Sequence, residues 1–83
     1  MKMAPIRVTL KTFAQLRELR GVDSEELELA SQTSVAQLFV QVFGTGPLAE
    51  LPVAYALNHA LVSPHTLLSD GDTLVLLPPV GGG

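Results

Sequence analysis

Cysteine is absent from this 83-residue chain. Disulfide staples, thiolate metal sites and cysteine nucleophiles are therefore excluded within it. Basic residues are scarce. Lys2, Arg7, Lys11, Arg17 and Arg20 are the full set, against eight acidic residues, and the net charge is −3. Nucleic-acid binders carry a denser basic patch, so no nucleic-acid partner is expected. No apolar run approaches the ~18 residues of a membrane span. The opening Met1-Lys2-Met3-Ala4-Pro5 lacks the apolar core of a signal peptide. The expectation is a cytoplasmic protein with no membrane partner. No domain boundary or internal repeat interrupts the chain. It reads as one domain over residues 1–83, globular over about 5–78, with a projecting tail over 79–83.

What is present is apolar residue, 47% of the total, which leaves some apolar surface for partners. A domain of this size buries somewhat over ~60% of its extended surface and has a modest core. The acidic residues cluster at Glu25, Glu26 and Glu28, and again at Asp70 and Asp72. Such a surface steers a basic protein partner.

Ile6, Val8 and Leu10 alternate with Arg7, Thr9 and Lys11, which predicts a half-buried strand. Thr12 followed by Gln15 has the spacing of a capping box, with Thr12 as cap. It predicts a short helix from Phe13 to about Arg20, stopped by Gly21 in the left-handed conformation. Arg17, Glu18 and Arg20 read as a solvated helix face. Glu26 to Leu29 alternates again as a second strand. Ser34 with Gln37 forms another capping box. Behind it Val35, Leu38, Phe39, Val42 and Phe43 recur at helical spacing, and Gly44 ends the run. The Phe39/Phe43 stripe is core, and this helix covers the sheet.

Val53 to Leu57 reads as a strand ending at Asn58, with Leu61-Val62 as a short extension. Ser69-Asp70-Gly71-Asp72 is a turn, so the aspartates serve turn chemistry and not catalysis. Thr73 to Leu77 is a nearly continuous apolar run. It fits a central strand, either covered on both faces or exposed at a partner surface. Pro78-Pro79 must end it, because proline donates no ladder hydrogen bond. His59 and His65 lie in loop-like sequence without further ligands at recognisable spacing, and no metal site is expected. No Ser/His/Asp arrangement is discernible. One main helix on a mixed sheet is an α+β layer. It fits the ubiquitin-like β-grasp, with an extended flexible C-terminal Gly-Gly tail.

The run Pro78-Pro79-Val80-Gly81-Gly82-Gly83 is the most specific part of the sequence. A triple glycine at one chosen place has a chance probability of roughly 0.03%. Residues without Cβ atoms can thread a narrow tunnel. Pro79 to Gly83 reach up to ~17 Å when extended, and the prolines hold an extended path that lowers the entropy lost on insertion.

At this point the chain resembles the small-subunit family of molybdopterin synthase, a family of sulfur carriers. The resemblance covers residues 6 to 83. It rests on Phe13-Ala14-x-x-Arg17-Glu18-x-x-Gly21, Ser34-Val35-x-x-Leu38, Asn58, Asp70-Gly71-Asp72 and, above all, Pro78-Pro79-Val80-x-Gly82-Gly83. Gly81 stands where the family commonly has Thr or Ser, and Leu76-Leu77 where an aromatic pair is frequent. The resemblance implies that Gly83 is adenylated by a ubiquitin-activating-type enzyme that consumes ATP. A sulfur donor protein then converts it to a thiocarboxylate. The synthase large subunit binds Pro79, Val80, Gly81 and Gly82 and passes the sulfur to cyclic pyranopterin monophosphate in molybdenum cofactor synthesis. The protein would thus be a carrier subunit of a hetero-oligomer, not an enzyme on its own, and would hold no cofactor tightly.

Docking requires side chains as well. Strand alternation makes Leu74 and Leu76 core. Leu77, Leu61 and Phe13 are then candidates for an apolar docking patch, the alternative being that they complete the core. Two other functions stay open: a ubiquitin-like carrier for thiamine, transfer-RNA thiolation or protein tagging, and a passive β-grasp interaction module.

Overall fold

In the computed structural model, residues 4–44 and 53–77 are described. The chain order is β1 (Ile6–Thr12), α1 (Ala14–Arg20), β2 (Ser24–Leu29), α2 (Val35–Phe43), β3 (Ala54–Leu57), β4 (Ala60–Val62) and β5 (Thr73–Leu77). The strands form one mixed sheet in the order β2-β1-β5-β3-β4. The last strand is therefore central. It runs parallel to β1, with Leu10 beside Leu74 and Thr12 beside Leu76, and antiparallel to β3.

Alternation sends Val8, Leu10, Leu74 and Leu76 to one face, where each is at most 1% exposed. The helix α2 supplies Val35, Leu38 and Phe39 to the same core, with Val42 and Phe43 partly buried beside them. Tyr55 meets Phe39 edge-on, with ring centroids 6.4 Å apart. Burial pushes the Tyr55 phenol pKa up from its ordinary value.

The second capping box forms as the spacing predicts. The Gln37 amide donates to Ser34 Oγ at 3.1 Å, and the Ser34 amide donates to Gln37 Oε1 at 2.8 Å. The next two amides of the helix, Val35 and Ala36, donate to the carbonyls of Thr66 and Pro64. The long connection before β5 thereby satisfies donors that every helix start leaves open. Gly21 closes α1 at φ 78.

The first capping box does not form. Phe13 is the cap residue of α1, without a side-chain cap bond, and Thr12 belongs to β1. Thr12 is 1% exposed and in register with the inward Leu76. Its hydroxyl faces the core and donates to the Val22 carbonyl at 3.3 Å. A buried hydroxyl needs a partner more than an exposed helix end does, because water can serve the latter. The solvated face expected of α1 also needs correction at Arg20. Its guanidinium holds the Glu25 carboxylate of β2 with two bonds, Nη2 to Oε1 at 2.6 Å and Nε to Oε2 at 2.8 Å. Arg17 and Glu18 are exposed.

Among the described residues, no helix is long and apolar enough to cross a membrane.

Candidate functional site: an open sheet face beside the outgoing chain

Only one face of the sheet is covered by α2. Register decides what the other face carries. Its central row runs Ser24, Lys11, Val75, Ala56, Leu61 across all five strands. The next row holds Leu77 opposite Ala54. Phe13 has extended backbone at φ −133 and ψ 162, which continues the alternation of β1 and brings Phe13 to the same face as Lys11.

Phe13, Leu61 and Leu77, the three expected docking residues, are 47%, 73% and 36% exposed. None of them completes the core. Sequence reasoning named these three but missed Val75, Ala54, Ala56 and Lys11 beside them. Strand alternation alone could have added Lys11 and Val75. The alanines become visible only once β3 is paired with β5. The apolar run of β5 is thus covered on one side and open on the other.

The tail expectations on Pro79, Val80, Gly81, Gly82 and Gly83 lie outside the described residues. The described chain ends at Leu77, at the centre of the sheet and at the edge where Phe13 and Ala54 sit. Whatever docks on the open face therefore stands beside Leu77, the last described residue before the prolines and the glycine run in sequence.

The opposite edge of the sheet is tied by polar bonds. Asp70 Oδ1 accepts the Arg7 amide at 2.8 Å, and Asp72 Oδ2 accepts the Ser69 amide at 2.7 Å. Asn58 donates its side-chain amide to Asp72 Oδ1 and accepts the Thr73 amide, both at 2.9 Å. These bonds fasten the β3–β4 turn to the start of β5. Asp72 is a turn acceptor, as Gly71 beside it suggested, whereas Asp70 accepts from β1 and ties the turn to that strand. Asn58 and His59 form a two-residue turn with φ 49 and 74. His59 and His65 are both exposed, and among the described residues no three His, Asp or Glu side chains converge to hold a metal.

At the outgoing edge the fixed charge is the Arg20–Glu25 pair. Its side chains are 31% and 19% exposed. The hydrogen bonds between them raise the Arg20 pKa and hold the Glu25 carboxyl below its ordinary value. The pair clamps the end of α1 to β2 and so helps set where Phe13, at the start of α1, stands relative to the sheet.

One main helix, α2, on a five-stranded mixed sheet, with the last strand central and the other face open among the described residues, defines a ubiquitin-like β-grasp protein. A match to the ThiS family spans residues 10–83, and the chain belongs to this family. It is 29% identical, over 94% of its length, to all of the molybdopterin synthase sulfur carrier subunit of Chlamydomonas reinhardtii. Among solved structures it is similar to a protein assigned as molybdopterin converting factor subunit 1 from Pyrococcus furiosus. That likeness has a TM-score of 0.76 at 32% identity and covers 90% of this chain and 99% of that one. It is also similar to a chain from the complex of subunits 1 and 2 of molybdopterin-converting factor from Helicobacter pylori. Here the TM-score is 0.60 at 28% identity, covering 94% of this chain and all of that one.

Proposed function

We propose that this protein is a sulfur carrier and the small subunit of a molybdopterin synthase. The observation that carries the reading is the glycine run joined to the central strand. The family match extends through that run to residue 83, and the last described residue before it, Leu77, ends the central strand beside the open sheet face.

A carboxylate is a poor acyl donor, because oxide would have to leave. In the proposed cycle a ubiquitin-activating-type enzyme lets the Gly83 carboxylate oxygen attack the α-phosphorus of ATP, and pyrophosphate departs. The product is an acyl adenylate. Sulfide-level sulfur from a donor protein adds to its carbonyl carbon and expels AMP, leaving a thiocarboxylate. The large subunit then seats the open face at Phe13, Leu61 and Leu77 and receives Pro79 to Gly83. Sulfur passes to cyclic pyranopterin monophosphate, and water restores the carboxylate. A dithiolene needs two sulfurs, so two loaded carriers serve each product.

In this reading the chemistry is supplied by partners, and this chain contributes a terminal glycine handle and the sheet face as its docking plane. Preorganisation of that plane lowers the ordering cost of each encounter.

The test is intact mass after incubation with ATP, the activating enzyme and a sulfur source. The expected result is the mass gain of one oxygen replaced by sulfur at the C-terminus. Gly82→Val should fold normally and fail to load, since a branched side chain fills the tunnel. No exchange with any activating enzyme, or normal loading of Gly82→Val, refutes the proposal.

A further inference from the structure

The open face is not uniformly apolar, and its two cations face different residues across the strand pair. Along β1 its outward residues are Arg7, Thr9 and Lys11. Register sets Arg7 directly opposite Glu28 of β2, Thr9 opposite Glu26, and Lys11 opposite Ser24. Directly opposed side chains on one face have Cβ atoms about 4.5–5.5 Å apart, so Arg7 has a carboxylate across from it and Lys11 has a hydroxyl. On its other side Lys11 borders Val75 of β5. Among the described residues the ion pair is Arg20–Glu25, and neither Arg7 nor Lys11 has one. Glu26 lies diagonal to Lys11 and Ser24 directly across from it. The chain carries −3 overall, and Lys11 is the cation in the central row of this face, beside Val75.

An exposed lysine loses its water when a partner covers the row between Leu61 and Ser24. An ammonium buried without a counter-charge is strongly disfavoured. An apolar or basic surface is therefore a poor fit over this position, whatever it gains at Leu61 and Leu77. The lysine stem can lie along apolar surface while its head reaches a nearby acceptor.

We propose that Lys11 is a specificity-determining charge of the docking face, and that the protein seated there presents an Asp or Glu carboxylate opposite it. This rests on the docking role proposed above for the same face. Apolar contacts at Leu61, Leu77 and Phe13 supply area. The lysine selects among apolar partners by rejecting those without the acid.

The experiment is titration of the chain with the recombinant molybdopterin synthase large subunit of the same organism, at low and at high salt. Lys11→Met should bind roughly 30-fold or more weakly, because it strands the partner's carboxylate. It should also lose most of the salt dependence of the wild type. Lys11→Glu should show no measurable binding. Lys11→Arg should stay within about threefold of wild type, since it keeps the charge. All three should melt with the wild type, because the side chain is exposed. Leu77→Asp should abolish binding independently of salt. Wild-type affinity and salt dependence in Lys11→Met, with Leu77→Asp impaired, overturns the lysine assignment and leaves the docking face standing. If the wild type does not bind the large subunit, the docking reading falls and the lysine assignment falls with it.

Discussion

Leu76 and Leu77 are neighbours in sequence and opposites in structure, and truncating each to alanine separates stability from docking. Leu76 is fully buried, in register with Thr12 on one side and Tyr55 on the other. Leu76→Ala leaves a cavity between those strands and should cost about 2–5 kcal/mol. A chain of this length is stable by about 4–12 kcal/mol in all. With ~4–8 °C of Tm per kcal/mol for a domain of this size, a loss of about 3 kcal/mol lowers Tm by roughly 12–24 °C. Leu77 is 36% exposed at the end of β5. Solvent fills the space its side chain vacates, so Leu77→Ala should cost only about 1 kcal/mol. Its effect belongs to binding, where loss of a central apolar anchor should weaken the large-subunit complex about tenfold or more. Thermal melts followed by far-ultraviolet circular dichroism give the first quantity, and titration calorimetry gives the second. Equal falls in Tm for the two variants would refute the assignment of faces. An unchanged affinity for Leu77→Ala would refute its place in the docking patch.

Two further outcomes follow from local geometry. His59 sits at φ 74, which costs a side-chain-bearing residue, so His59→Gly should stabilise the fold by about 0.5–1 kcal/mol in urea titration; a lower midpoint contradicts the turn assignment. The Glu25 carboxyl is held below its ordinary 4.5 by Arg20, so its contribution is complete above that value and vanishes as pH falls through the lower native one. Arg20→Met should therefore melt below wild type at neutral pH, by about 0.5–1 kcal/mol for a partly exposed pair. The gap should close under acid conditions, and a gap independent of pH would show that the ion pair is not its source.

The α+β layer, the capped main helix, the central last strand and the inward Leu74 and Leu76 were all legible in the residues. Each rests on a short-range rule. A capping box closes within four residues, and alternation needs only neighbours, so Ser34, Gln37 and β5 carry their own instructions. Thr12 shows where such rules stop. Its spacing to Gln15 is that of a cap, yet pairing with a strand more than sixty positions away turns its hydroxyl inward to Val22. Arg20 reads as solvated until the turn after Gly21 delivers Glu25. Sequence also supplied the terminal glycine run and named Phe13, Leu61 and Leu77 as docking candidates, with the core as the alternative; the structure decided that all three are exposed. Only the tertiary structure set Lys11 between Ser24 and Val75, because that row is assembled by register between strands. Register comes from the shared burial of one face, a property of the whole sheet that no single segment contains.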